Sequence, residues 1–338
     1  MPGVAGKACA APPTTIISAT HSATGFAMRN HVRDAFGPGN GEHVMTPCEL
    51  VKLTALMERT SGSSEVKIGF IDGPVVTQHP DLSGANLRKI KGNISAACVQ
   101  ADSAACLHGT FVAGVLSARR NSPAPAICPN CTLLIHPIFA ETTSGKEQMP
   151  HAAPGKLADA IIQCINDGAR IINLSLALSP PSTKGERALE EGLNQAVKHG
   201  VIIVAAAGNK GTIGSSLIIR HPWVIPVVAC DWRGRPLNES NLSCSIGRRG
   251  LRAPGDGITS LGAEGQPLTL GGTSVAAPFV TGAIALVWSE YPSATAAQIR
   301  FAVTRASATR RASVVPPLLD AEAISQNLLK TDARRWTA

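Results

Sequence analysis

The period of the apolar positions changes twice along the chain. Through the first 45 residues Gly, Pro, Ser, Thr, Asn and His predominate and no period holds, which is the pattern of a loop or an arm. At Thr46-Pro47 a helix signature opens: a threonine N-cap, proline at the first helical position and Glu49 at the third. Leu50, Leu53, Leu56 and Met57 follow at helical spacing before Gly62, which predicts one helix over 46–61. From Glu65 short apolar runs alternate with amphipathic stretches. The runs predict strands over 66–71, 170–176, 201–206 and 223–229. Between them lie predicted helices over 156–167, with Leu157, Ile161, Ile162 and Ile165 on one face, and over 184–199. Residues 275–290 are apolar on every side, the mark of a central, buried helix.

Strand, helix, strand, helix in this order implies right-handed crossovers, hence an α/β fold of three layers: a mostly parallel sheet with helices on both faces. Residues 65–327 read as one such domain and 328–338 as a C-terminal tail. Residues 1–64 have two readings, an inhibitory pro-segment released by self-cleavage or a permanent arm docked through the 46–61 helix. The shortage of strand and helix signals in 1–45 favours the arm.

Composition narrows the function. No apolar run is long enough to span a bilayer, so a membrane role is not expected. The net charge of +8 divides into +1 over 1–64, +2 over 306–338 and +5 over the residues between, with no basic run beyond pairs such as Arg119-Arg120. With one tyrosine and few other aromatics to stack on bases, nucleic acid is not an expected partner. Nine cysteines leave at least one thiol unpaired in a monomer. Cys128-Pro-Asn-Cys131 is the one C-x-x-C pair and lacks the second pair a zinc site needs. Cys98 and Cys106 flank a short loop and could bridge, but connectivity stays open. The opening residues carry one lysine and no continuous apolar core, a poor secretory signal. The expected compartment is the cytoplasm, with mostly reduced thiols.

In a parallel sheet, chemistry collects where strands end at their carboxyl side. Four stretches stand out: Ile71-Asp72-Gly73-Pro74, a helix start at His108-Gly-Thr-Phe-Val-Ala-Gly114, Ala206-Ala207-Gly208-Asn209, and Gly271-Gly272-Thr273-Ser274 opening the central helix. An acid, an imidazole, an amide and a hydroxyl are the parts of serine acyl transfer. Ser274 needs a base to become a nucleophile, and His108 would take its proton. Asp72 would fix the tautomer of His108 and stabilise its imidazolium. Asn209 and the backbone N–H of Ser274 would receive the developing oxyanion. Each residue also has a plainer reading: Ser274 as a cap, Asp72 and Asn209 as turn residues. The order and company of the four favour chemistry.

That order, with D-G, H-G-T-x-V-A-G, A-A-G-N and G-T-S-x-A-x-P, resembles the subtilisin-like serine peptidases over about 65–327. The resemblance implies Asp72, His108 and Ser274 as catalytic triad and Asn209 as oxyanion residue. It further implies a substrate-binding edge at Asn173, Leu174, Ser175, Leu176 and Ala177, with Ala206, Ala207, Gly208, Gly272 and Thr273 lining the cleft. Within the family, Leu56 to Pro74 and Cys128 to Phe139 resemble the peptidases that mature cyanobactin-type ribosomal peptides. The implied partner is therefore a precursor peptide or protein, and the implied reaction is leader removal. Two positions depart from the pattern: Gly73 stands where Ser or Thr is common, and Phe111 where a second His is common. The stretch between Asp72 and His108 is too short for the helical insert of a cyclising relative, which favours proteolysis. No cofactor is required. Structural calcium is known in the family, but no clustered Asp motif supports it here. The rival readings are a general degradative peptidase and a weakly catalytic protein that only binds extended peptides. The residues carry no signal of oligomeric state.

Overall fold

The computed structural model describes residues 16–18, 45–92, 94–141, 151–178, 185–306 and 313–333. Seven strands form one sheet, in the order Leu251–Pro254, Ile225–Cys230, Ile202–Ala206, Ile171–Leu174, Lys67–Asp72, Thr132–Pro137 and Asn86–Lys89, every neighbouring pair parallel. The first strand of the sheet, Lys67–Asp72, lies inside it. From that strand the chain runs to the edge strand Asn86–Lys89, returns through Thr132–Pro137 and then crosses to the other side, so the crevice of a doubly wound sheet opens at its carboxyl end, beside Asp72.

Side chains alternate across the sheet as the pleat demands. Ile68, Phe70, Leu133, Ile135, Ile202 and Val204 enter one core, beneath the helices Ala104–Ser117 and Thr273–Glu290. Ile71, Leu134, Ile203 and Ala205 enter the other, against Leu157, Ile161 and Ile165 of Pro154–Asn166 and Leu189 and Leu193 of Glu186–Lys198. Each of these leucines and isoleucines contributes about 1.5–3 kcal/mol by leaving water. The three expected layers are present.

Several expectations need correction. The helix expected over 46–61 is two short helices, Pro47–Leu50 and Thr54–Arg59, broken at Lys52, which has φ 54°. The Thr46–Glu49 capping box forms as expected. The break has a packing cause. Val51 and Leu53 are both fully buried, yet residues two apart point to nearly opposite sides of a helix, so the chain must turn for both to enter the core. The helix carrying His108 starts at Ala104, capped by Ser103, and not at His108. The strands Asn86–Lys89, Thr132–Pro137 and Leu251–Pro254 were not foreseen. At the other end, residues expected to form a tail from 328 belong to a helix, Ala321–Ala333, with Leu328 buried in the first core.

One strand falls inside the segment expected to lack structure. Ile16–Ser18 lies between His151–Ala152 and Leu176–Leu178, antiparallel to both. Cys98 and Cys106 are joined in a disulfide, which ties the loop before Ser103 to the first turn of the Ala104–Ser117 helix. The other six described cysteines are free.

Candidate active site

The site assembles where three elements meet at the carboxyl edge of the sheet. Asp72 is the last residue of its strand and fully buried. His108, 3% exposed, sits in the second turn of its helix with Nδ1 2.6 Å from Asp72 Oδ1. The Gly73 N–H donates to the same carboxylate oxygen at 2.7 Å, which restrains the acid from the backbone side. A buried imidazole whose Nδ1 faces a carboxylate presents Nε2 outward as its basic atom.

Ser274 is fully buried at the second position of Thr273–Glu290, and the N-cap is Gly272, at φ 111°. The plainer reading of Ser274 as a cap is therefore set aside. Its Oγ and His108 Nε2 are both buried polar atoms with no hydrogen-bond partner. Each is left free for a partner that arrives with substrate.

Pro278 lies inside the same helix. Lacking an N–H, it leaves the carbonyl of Ser274 without the bond that residue 278 would normally donate. Ser175 supplies the missing donor, its Oγ 2.8 Å from Ser274 O. Ser175 Oγ in turn accepts from Asn173 Nδ2 at 2.9 Å, and Asn173 Oδ1 accepts from Thr281 Oγ1 at 2.8 Å. A buried polar chain thus bolts the peptide unit of Ser274 to the sheet.

That chain revises the expected substrate edge. Asn173 and Leu174 belong to the central sheet, paired with Phe70 and Ile71 on one side and Val204 and Ala205 on the other. Asn173 and Ser175 turn their side chains inward, fully buried, to hold Ser274. The part of the stretch that pairs with an extended segment is Leu176–Leu178, which takes Ser18, Ile17 and Ile16 in antiparallel register. Thr281 was missed by sequence reasoning, and nothing local marks it, since Asn173 is its partner across the fold.

The Asn209 amide is oriented from the helix that carries Ser274. Thr273 N donates to Asn209 Oδ1 at 2.9 Å, which identifies the nitrogen as the donor end of the amide. Thr273 Oγ1 accepts from Gly208 N at 3.1 Å. Thr273 therefore acts on the Gly208–Asn209 loop, and its side chain is fully buried. Ala206 and Ala207 are buried at the end of Ile202–Ala206, leading into that loop. Phe111 is buried in the first core, its carbonyl accepting from Ser260 Oγ at 2.8 Å.

Among the described residues, one group of three potential metal ligands comes together, Cys98, Cys106 and Glu141. Two of its sulfurs are bonded to each other, so the set offers one carboxylate and no thiolate. No helix among the described residues is long and apolar enough to cross a membrane.

The model of the subtilase family matches residues 63–321, a span that contains Asp72, His108, Asn209 and Ser274. The chain belongs to the subtilase family. It is 30% identical over 257 residues to subtilisin amylosacchariticus of Bacillus subtilis subsp. amylosacchariticus, a match that covers 74% of this chain and 62% of that protein. To subtilisin DY of Bacillus licheniformis it is 29% identical, over 74% of this chain and 86% of that one. The chain thus spans somewhat under two thirds of the length of the first of these relatives.

Solved structures of similar fold include a mutant of the protease domain of PatA, with TM-score 0.71 and 28% identity over 80% of this chain and 98% of that one. The prenylagaramide maturation protease PagA gives TM-score 0.70 and 26% identity, over 82% and 98%. The PatG macrocyclase in complex with peptide gives TM-score 0.70 at 22% identity, over 82% and 95%, a likeness of fold alone.

Proposed function

We propose that this subtilase is a serine endopeptidase that trims a ribosomally made precursor peptide, with Asp72, His108 and Ser274 as its catalytic triad. The observation that carries the chemistry is the imidazole of His108 held at 2.6 Å by Asp72, with its Nε2 and the Oγ of Ser274 each buried and without a hydrogen-bond partner. Ser274 Oγ attacks the scissile carbonyl as His108 Nε2 takes its proton. The tetrahedral oxyanion is received by the Ser274 N–H and the Asn209 side-chain amide. His108 then returns the proton to the leaving amine, and water hydrolyses the acyl-enzyme by the same steps.

Support for a peptide substrate comes from the Leu176–Leu178 edge, which holds Ile16–Ser18 in the backbone pairing that an extended peptide would use. The likeness to PagA, a maturation protease, and to the protease domain of PatA favours a precursor over general protein degradation. Six free cysteines among the described residues accord with action in the cytoplasm, and the Cys98–Cys106 bridge is the exception.

The test is labelling with a fluorophosphonate probe. Wild type is expected to label, and Ser274→Ala and His108→Ala to lose the label. Persistent labelling of Ser274→Ala overturns the reading by placing the nucleophile elsewhere, and no labelling of folded wild type overturns it in favour of a peptide-binding protein. Incubation with leader-bearing precursor peptides, read by mass spectrometry, then separates a single defined cut from broad degradation.

A further inference from the structure

The oxyanion amide rides on a loop outside regular secondary structure. Residues 207–212 form no helix or strand, and both Gly208 (φ 102°) and Gly211 (φ 61°) take left-handed conformations. Thr273 holds one side of this loop, as described above. On the other side one side chain, Asn241, which the sequence did not mark, makes several bonds to the loop.

Asn241 grips the loop on both sides of Asn209. Its Nδ2 donates to Ala207 O at 3.1 Å, and its backbone N donates to Gly208 O at 2.8 Å. Its Oδ1 accepts from Lys210 N at 3.1 Å, from Thr212 N at 3.2 Å and from Thr212 Oγ1 at 3.0 Å. The side-chain amide therefore spans residues 207, 210 and 212, and the backbone N–H adds residue 208. The pattern also fixes its orientation, because a flipped amide would turn its N–H₂ toward three donors. Neighbouring backbone extends the clasp, with Gly211 N donating to Glu239 O at 2.7 Å and Leu242 N to Thr212 O at 3.0 Å.

We propose that Asn241 is a positioning residue for oxyanion stabilisation, acting through Asn209 by fixing the loop that aims its amide. The proposal rests on the acyl-transfer reading of the site. Preorganised donors stabilise a transition state because they need no reorientation when charge develops. A loop with two left-handed glycines would give up that advantage without an external clasp. The Asn241 side chain supplies donor and acceptor together, which neither Ala nor Ser at that position can reproduce across residues 207, 210 and 212. Asp keeps the accepting oxygen and loses the bond to Ala207.

The experiment measures kcat and KM for p-nitrophenyl acetate, whose hydrolysis does not depend on the unknown peptide specificity. It compares wild type, Asn241→Ala, Asn241→Asp, Asn209→Ala and the double variant Asn209→Ala/Asn241→Ala. Asn209→Ala is expected to lose about 10²–10³-fold in kcat, the range known for one such donor in subtilisin. Asn241→Ala should lose about tenfold in kcat with KM nearly unchanged, and Asn241→Asp should recover part of it. The deciding result is the double variant, which should be about as slow as Asn209→Ala alone. If the Asn241 loss multiplies onto the Asn209 loss, or if kcat is unchanged in Asn241→Ala, the proposal fails. Should Asn241→Ala not fold, Asn241→Asp with and without Asn209→Ala decides by the same comparison. Fluorophosphonate labelling of wild type, lost in Ser274→Ala, checks the underlying reading separately.

Discussion

Gly73 and Ala105 are pressed so closely that residue 73 has no room for a side chain. A Cβ built on Gly73 would stand 2.7 Å from the carbonyl carbon of Ala105 and closer still to its oxygen. The reverse contact repeats it, since a Cβ on Gly109 would lie 2.6 Å from the carbonyl oxygen of Gly73. This approach brings the first turns of the Ala104–Ser117 helix onto the Asp72 strand end and sets the 2.6 Å contact between His108 and Asp72. The departure from the family pattern at Gly73 is thus a packing solution. The restraint a side-chain hydroxyl might give the acid comes from the Gly73 N–H.

Restoring the commoner residue should therefore harm the enzyme. Gly73→Ser is expected to push the helix away by a fraction of an ångström or more. Misplacement of about 1 Å costs about 10²-fold in rate, and overpacking costs about 1–3 kcal/mol of stability. Steady-state hydrolysis of p-nitrophenyl acetate and thermal melting check it. A Gly73→Ser enzyme as fast and as stable as wild type would refute the packing account.

Ser175→Ala removes the donor that serves Ser274 O and leaves Asn173 Nδ2 without its acceptor. Each orphaned buried group costs about 1–3 kcal/mol. Pro278→Ala restores an N–H able to donate to Ser274 O, so Ser175→Ala should cost less in that background. Chemical denaturation of the four variants of this double-mutant cycle gives the coupling. Strict additivity would show that the proline and the serine hydroxyl act independently.

Because Ile16–Ser18 occupies the Leu176–Leu178 edge, it should compete with extended substrates. A variant lacking residues 1–18 is expected to have a KM for extended peptides several-fold lower, while p-nitrophenyl acetate kinetics stay unchanged. A synthetic peptide covering residues 14–20, added to that variant, should inhibit competitively. Equal KM values with and without the strand would mean that substrates do not use this edge.

His221 is buried, with Nδ1 accepting from Trp223 N and Nε2 3.2 Å from Asn194 Oδ1. Burial, aided by Arg249 and Arg300 and opposed by Glu190, holds its imidazole below the usual range. Below a pH of about 6.5 the unfolded chain binds a proton here that the folded chain resists, so this contribution to stability is intact above that pH and lost as pH falls. Melting temperatures between pH 7 and pH 5.5 should fall by a few degrees more in wild type than in His221→Gln. Parallel curves would remove His221 as the cause.

Much of the fold and site was legible in the chain because the signals are local. The helices Pro154–Asn166 and Glu186–Lys198 bury one face against the sheet, so leucine and isoleucine recur at helical spacing. The strands between them are buried on both faces and read as short apolar runs. Asp72, His108, Asn209 and Ser274 stood out as candidates because each lies in a short glycine-containing motif. The Ala104–Ser117 helix was placed late because twelve of its 14 residues are buried and no polar face marks its start. Asn86–Lys89 is a mostly exposed edge strand, with no apolar alternation to announce it.

What tertiary structure decided are relationships whose partners lie far apart in the chain. The break at Lys52 exists because Val51 and Leu53 must both reach one core. Gly73 is glycine because of Ala105, Ser175 turns inward because Pro278 leaves a carbonyl unserved, and Asn241 matters because a loop begun at Ala207 passes beside it. Local propensity and periodicity report the face a residue shows to water. They carry no information about which distant group will stand at hydrogen-bond distance, and that distance decides how the site is held.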